Sequence, residues 1–470
     1  MNSMRKLYSR REAHHSSRLI ATSVLLLLLQ SFLVTPVAAS PAPPKLKLRG
    51  YITGRIDDST VAILDDHIQM SKRGKVEFAD TTKAPRITFA DLVMGQLVEA
   101  EGIWEGKHQF LADWISVEPG LVDKSVHESA YLQGEPEEAY KIAVGEPAVL
   151  KADGELLTIG VKTHRDWHAD NAASATPIRY AGRQVHYSGV RREDGRIETE
   201  KIELDEPAPP EAYNMPHNIE VVRSKDPQSH IDILDFRRGD KVDGRLKLLE
   251  VPEVQKYVAD LGNSLLPAGG FGTTRGLEFR FFVVEDPNIN AQALPDGTIL
   301  VNTGLLGAVD NEAELAFALS HEISHVLQAH MWREANETRA AKVAIFIAGV
   351  AATYYVGDLS LFLSGLGMKA VANGHQRALE NQADRLGLQT IIDRGYDPRQ
   401  ASKLLETLID RYGDRSTSIL WSNHDSSVLR GSFLAVQIQM QYPEGKFEGA
   451  RVDTPAFQAM RDAMGPVKIN

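Results

Sequence analysis

The chain is 470 residues long, 43% hydrophobic and 24% charged, a balance that supports about three domains with buried cores. Its net charge is −11, and −15 once the five basic residues and one acidic residue of the first 39 are set aside, which excludes nucleic acid as a main partner because phosphate binding needs a basic surface. Cysteine is absent, so disulfides, thiolate metal sites and a cysteine nucleophile are excluded, and any metal must be held by His, Glu and Asp.

Arg5, Lys6, Arg10, Arg11 and Arg18 precede an apolar run from Leu19 to Val34, and Val37-Ala38-Ala39 offers small residues for cleavage. That run is about 16 residues and contains Gln30, short of the ~20 a spanning helix needs. Residues 1–39 are therefore expected to be a signal peptide, with an uncleaved anchor as the alternative. Residues 45–120 then show short β-branched and aromatic alternations separated by Gly and Asp turns, the pattern of strands. A similar pattern fills 127–206. Val98 and Val185, Gly102 and Gly189, and Ile115 and Ile202 each lie 87 residues apart, so the two stretches are expected to be small all-β modules of OB-like type, the second a repeat of the first. Two unrelated meanders with common turns are the alternative.

Pro207, Pro209 and Pro210 mark a linker, beyond which residues 213–470 are expected to be α-rich with a small sheet, giving an α+β chain overall. Val254, Val258, Leu261 and Leu265 predict an amphipathic helix over 251–266, stopped by Pro267. Residues 278–285 alternate as a strand, and 291–294 and 298–302 flank Pro295-Asp296-Gly297, a hairpin signal. Asn311 and Glu314 then cap a long helix that carries His321-Glu322-Ile323-Ser324-His325.

Two histidines four apart on a helix share a face, so both imidazoles can hold one Zn²⁺, with Glu322 placed to act as general base. Leu315, Leu319, Ile323, Val326 and Leu327 make this a core-type helix, where two solvated histidines do not belong. Glu380 and Asp384 are also four apart on a predicted helix. The first can complete the metal site and the second can fix the tautomer of a ligating His. His330 and His375 fall off the ligand faces of ideal helices and are expected to have no role. Residues 343–356 and 359–368 are almost wholly apolar and suit a buried or interfacial helix better than a span, with a lid over the cleft, or a patch that touches membrane or unfolded clients, as the alternative.

Asn290-Ala291, Pro295-Asp296-Gly297, Val301-Asn302-Thr303-Gly304-Leu305-Leu306, the His321–His325 motif and Glu380-x-x-Ala383-Asp384 occur in that order. Over roughly 213–430 the chain thus resembles the gluzincin family of the CAAX prenyl endopeptidase and HtpX, in particular its periplasmic, BepA-like branch. The resemblance implies one zinc per chain on His321, His325 and Glu380, Glu322 as the base, and Asp384 behind the ligands. It also implies an edge strand near 299–303 to which an extended substrate adds by main-chain hydrogen bonds. On that reading Asn290, Ala291, Ile299, Val301 and Thr303 contact substrate. A family His followed six residues later by Arg matches His424 and Arg430, although Asn423 and Asp425 depart from the usual flanks. His424 would then stabilise the oxyanion of peptide hydrolysis or cap the metal at rest.

The function these features imply is an exported zinc endopeptidase of the Gram-negative periplasm. Its substrates would be envelope proteins or peptides, misfolded or unassembled, with an outer-membrane or assembly partner held by the β-modules. The rival functions are an envelope chaperone with a plugged zinc site and a binding protein acting through those modules.

Overall fold

The alternating text of the first 200 residues forms strands because its apolar positions recur with period two and its Gly and Asp turns separate them. The computed structural model describes residues 45–79, 86–118, 125–133, 141, 145–152, 155–166, 184–192, 196–204, 210–214, 218–223, 232–267, 277–332, 374–412, 427–442 and 444–469. The expected signal peptide, the apolar 343–368 segment and His424 lie outside these residues. Among the described residues, no helix is long and apolar enough to cross a membrane.

Six strands come first: β1 (Leu46–Tyr51), β2 (Gly54–Asp57), β3 (Thr60–Ile63), β4 (Asp66–Phe78), β5 (Leu97–Gly106) and β6 (Gln109–Val117), in the order β1-β5-β6-β4-β3-β2. Then β7 (Ser125–Gln133), β8 (Ala148–Ala152), β9 (Glu155–Asp166), β10 (Gln184–Arg191) and β11 (Ile197–Leu204) close a barrel ordered β10-β11-β9-β8-β7. Numbered within that barrel, the path is 1-2-3-5-4-1 with the third and fifth strands parallel, the topology of an OB-fold.

The two sheets share more than outline. Val98 pairs Val117 and Ala100 pairs Ile115, while Val185 pairs Leu204 and Tyr187 pairs Ile202, all at the same offset of 87. Both hairpins carry a register shift at the residue before the matched glycine, Glu101/Gly102 and Ser188/Gly189. A Cβ on Gly102 would sit 2.0 Å from the Leu111 carbonyl, and one on Gly189 2.3 Å from that of Glu198. Both bulges therefore need glycine for the same close approach.

Where α-rich structure was expected to begin, the chain instead forms a three-stranded meander: β12 (Asn218–Arg223), β13 (Asp232–Arg238) and β14 (Lys241–Lys247). Its helix-like charge content conceals a period-two face. Ile219, Leu234 and Phe236 are buried against Leu300, Leu294 and Val284 of the next sheet. Helix α1 (Pro252–Leu265) follows, then a sheet of β15 (Arg280–Val284), β16 (Ala291–Ala293) and β17 (Thr298–Asn302), ordered β15-β17-β16. The hairpin turns at Gly297, whose φ of +90° suits glycine. This order corrects the expected substrate edge. β17 is the central strand, with Ile299 and Val301 fully buried, and Thr303 opens the short helix α2 (Thr303–Ala308) and bonds the Asp286 carbonyl at 2.8 Å. Strand β16, preceded by Asn290 and beginning at Ala291, lies at one edge, while β15 at the other is bridged through Val284 to Leu248.

Helix α3 (Glu312–Leu327) crosses this sheet with almost every residue buried. The Asn311 side chain accepts from the Glu314 amide (3.0 Å), and the Glu314 carboxylate accepts from the Asp310 amide (2.7 Å). Burial pushes the Glu314 carboxyl up to about 7 from its usual 4.5, outweighing the Asp310 amide that pulls it down. The folded protein thus holds a proton that the unfolded chain releases above about pH 4.5. The stability from that proton is fully present below pH 4.5 and is lost as pH rises through 7. Glu314→Gln should remove this decline, narrowing the loss between pH 5 and pH 8 by about 1–3 kcal/mol in urea unfolding. Equal losses in parent and variant would show that Glu314 is not its source.

Four helices complete the core: α4 (Gly374–Asp393), α5 (Arg399–Tyr412), α6 (Ser427–Gln441) and α7 (Pro455–Met464). Helix α6 is held from outside by the first β-module. Tyr51 donates its amide to Ser432 Oγ (2.9 Å) and its ring tilts on Phe433 at 5.7 Å. Val428 and Ile409 enter the module's own core. Leu64, at φ 55° in the β3–β4 turn, reaches Gly431, where an added Cβ would meet it at 3.1 Å. A leucine in the left-handed region costs about 1–2 kcal/mol, so the packing around it must over-determine the turn.

Candidate metal centre

Helices α3 and α4 run side by side and bring their polar residues together inside an apolar shell. His321 and Glu322 are fully or almost fully buried, as are Glu380 and Asp384 on α4 and Arg430 on α6. His321 Nε2 and His325 Nε2 stand 3.0 Å apart. Glu380 lies 3.6 Å from the first of these nitrogens through Oε2 and 3.5 Å from the second through Oε1. Two donors bound to one tetrahedral ion at about 2.0–2.1 Å are about 3.3–3.4 Å apart, so this triangle has the size of a zinc site.

Its proton inventory asks for a cation. Asp384 Oδ1 lies 3.0 Å from His321 Nδ1 and can only accept, which puts the His321 proton on Nδ1 and leaves a lone pair on Nε2. Arg430 Nη2 also approaches that Nδ1 (3.3 Å) but is already donating to Asp384 Oδ1 at 2.6 Å, and Arg430 Nε donates to Oδ2 at 2.9 Å. A lone pair and a carboxylate therefore converge in a site with little access to water, an arrangement stable only around positive charge. His321, His325 and Glu380 fit a zinc ion, and among the described residues they are the group so arranged.

Glu322 stands between this triangle and the sheet. Its Oε2 accepts from the amide of Ala293 on the edge strand β16 at 2.9 Å. Burial pushes its carboxyl up to about 8, the charge of Glu380 adds to the rise, and the Ala293 amide and Arg430 oppose it. A divalent cation beside Glu380 would offset part of that rise. An apolar pocket opens next to the edge strand, lined by Ala293, Leu294, Pro295, Val326, Ala329 and Met331, with Tyr213 and His325 at its walls.

Of the residues expected at the site, the structure brings together His321, Glu322, His325, Glu380, Asp384 and Arg430, with Ala291 on the neighbouring edge strand. It places Ile299, Val301 and Thr303 in the core behind that strand. His330 does not lie where an ideal helix would put it. On an ideal helix it would point away, but α3 ends at Leu327 and Ala329 adopts φ 51°. The chain thereby turns back and sets His330 Nδ1 2.9 Å from His325 Nδ1, with Gln382 Oε1 3.0 Å from His330 Nε2. Nothing in the local sequence announces this turn, since alanine is not a residue that favours positive φ. Ala293 was missed as well, because its contribution is a main-chain amide.

Residues 252–437 match peptidase family M48. The chain is 30% identical to the beta-barrel assembly-enhancing protease of Escherichia coli K12 over 187 residues, 38% of this chain and 37% of the relative. It is 33% identical to the mitochondrial metalloendopeptidase OMA1 of Arabidopsis thaliana over 160 residues, 34% and 32% of the two chains. With OMA1 of Schizosaccharomyces pombe the identity is 32% over 175 residues, 37% of this chain and 50% of the relative. The chain thus spans from 32% to 50% of the length of these relatives. The paired histidines on α3 and Glu380 on α4 lie inside the segment that matches peptidase family M48.

Proposed function

We propose that the protein is an exported zinc endopeptidase that hydrolyses envelope proteins, misfolded or unassembled ones foremost. The observation that carries this reading is the placement of Glu322 between three converging metal donors and the amide of an edge strand. Zinc held there would supply electrophilic activation of water and of the peptide carbonyl. The rest of the chemistry belongs to the chain. Glu322 accepts the proton of the attacking water and returns it to the leaving amine. Strand β16 lays an extended substrate beside the metal donors by main-chain pairing, and the pocket beyond Ala293 receives an apolar side chain. Arg430 and Asp384 hold His321 in the tautomer that binds metal. His424 is assigned the oxyanion only by the family resemblance, which its spacing from Arg430 matches.

The arginine-rich, apolar residues 1–39 support export, and similarity to a protease named for β-barrel assembly supports an envelope substrate in a Gram-negative periplasm. We infer further that strands β1–β6 and β7–β11 are a duplicated pair, supported by their shared registers, and that they hold a protein partner. Purified protein should cleave unfolded casein, lose the activity to a chelator and regain it with one equivalent of zinc. Zinc bound with no cleavage would favour a chaperone, and no zinc bound would sink the peptidase reading.

A further inference from the structure

The two histidine donors are oriented by different means. His321 is backed by a carboxylate that is itself paired with an arginine. His325 meets His330 at its Nδ1, and behind His330 lie Gln382 and Gln328, all three buried.

The direction of every proton in that chain follows from its far end. The Gln382 amide nitrogen lies 3.4 Å from Gln328 Oε1, a long contact that it can only donate, which turns Gln382 Oε1 toward His330 Nε2 at 3.0 Å. An amide oxygen only accepts, so His330 carries a proton on Nε2 and, as a neutral ring, presents a lone pair at Nδ1. At 2.9 Å from that lone pair, His325 Nδ1 must carry a hydrogen, because two lone pairs at that distance repel. His325 is then left with its lone pair on Nε2, which faces Glu380 and His321. A neutral relay therefore selects the metal-binding tautomer of His325 with no added charge.

The geometry assigns His330 as a positioning residue for the metal ligand His325, oriented in turn by Gln382, with the left-handed Ala329 as the backbone turn that delivers it. This rests on the zinc reading proposed above. Left-handed alanine is held against its preference, and the relay is what that strained turn brings into being. The relay also accounts for a fully buried glutamine on α4 two positions from Glu380, where a metal site by itself has no use for one.

The test is zinc affinity by chelator competition on the full protein, together with the visible spectrum of its cobalt form. His330→Leu keeps bulk and removes the acceptor. It should weaken zinc by about 10–100-fold and alter the cobalt bands. His330→Asn places an amide oxygen near the Nδ1 position and should restore affinity to within about threefold of the parent. Gln382→Leu should weaken zinc, and adding it to His330→Leu should cost no more than His330→Leu alone. In the zinc-loaded parent, long-range ¹H–¹⁵N spectra should show His330 protonated on Nε2 and His325 on Nδ1. Unchanged affinity in His330→Leu, an Asn variant as weak as the Leu variant, or a proton on His330 Nδ1 would each overturn the assignment while leaving the zinc site standing. Failure of the parent itself to bind zinc would instead overturn the reading on which the assignment rests.

Discussion

Glu322→Gln should retain one zinc per chain while kcat/KM for unfolded substrate falls by about 10²–10⁴-fold, the usual contribution of a general base. Gln keeps an oxygen to accept from the Ala293 amide, so the edge strand and the metal donors stay in place. What it loses is the capacity to take a proton. The same substitution should not destabilise the metal-free protein. Glu322 is buried beside Glu380 and its carboxyl is pushed up to about 8, so ionising it in the fold is unfavourable and the neutral amide avoids that cost. Metal-free parent should lose stability as pH rises from about 4.5 through 8, and the variant should lose less. Zinc content and thermal melts of both proteins, read beside the rates, separate loss of the base from loss of the site. A variant that still cleaves at the parental rate would remove Glu322 from the mechanism.

The second large effect is expected at Arg430. Its guanidinium is fully buried and makes two bonds to Asp384, at 2.6 and 2.9 Å, with Glu380 3.9 Å away. Removing one partner of such a pair strands the other charge in a low-dielectric interior. Arg430→Met should therefore cost about 3–5 kcal/mol in urea unfolding of the metal-free protein. Adding Asp384→Asn should recover more than half of that loss, since the stranded charge is then gone. Zinc affinity should fall in the single variant, because His321 loses the anchored carboxylate that sets its tautomer. If the double variant is no more stable than the single one, Arg430 acts by filling space and not by pairing charge.

Helix α6 adds a reason for the N-terminal strands to matter to the chemistry. Tyr51, Leu64 and Gly50 of the first β-module press on Ser432, Gly431 and Val428, the immediate neighbours of Arg430. The first module, expected from the sequence to hold a partner, is also a wall of the helix that carries the buried cation.

The sequence by itself determined the candidate donors and the helix faces that carry them. His321, Glu322 and His325 depend on one helical repeat, and Glu380 with Asp384 on another, so their mutual placement is local and legible as spacing. It also determined the paired β-patterns and the Pro295–Gly297 turn, because alternation and turn chemistry are properties of short segments. Only the tertiary structure decided which strand of the small sheet lies at its edge, since strand order depends on long-range pairing that no local pattern encodes. That put Ala293, and not Val301, beside Glu322. Only it decided the placement of His330 beside His325, because a single positive φ at Ala329 redirects the chain where periodicity would continue it. The meander of residues 218–247 was hidden for a related reason. Its strands are identified by the face they bury against the neighbouring sheet, and that neighbour is supplied by the fold.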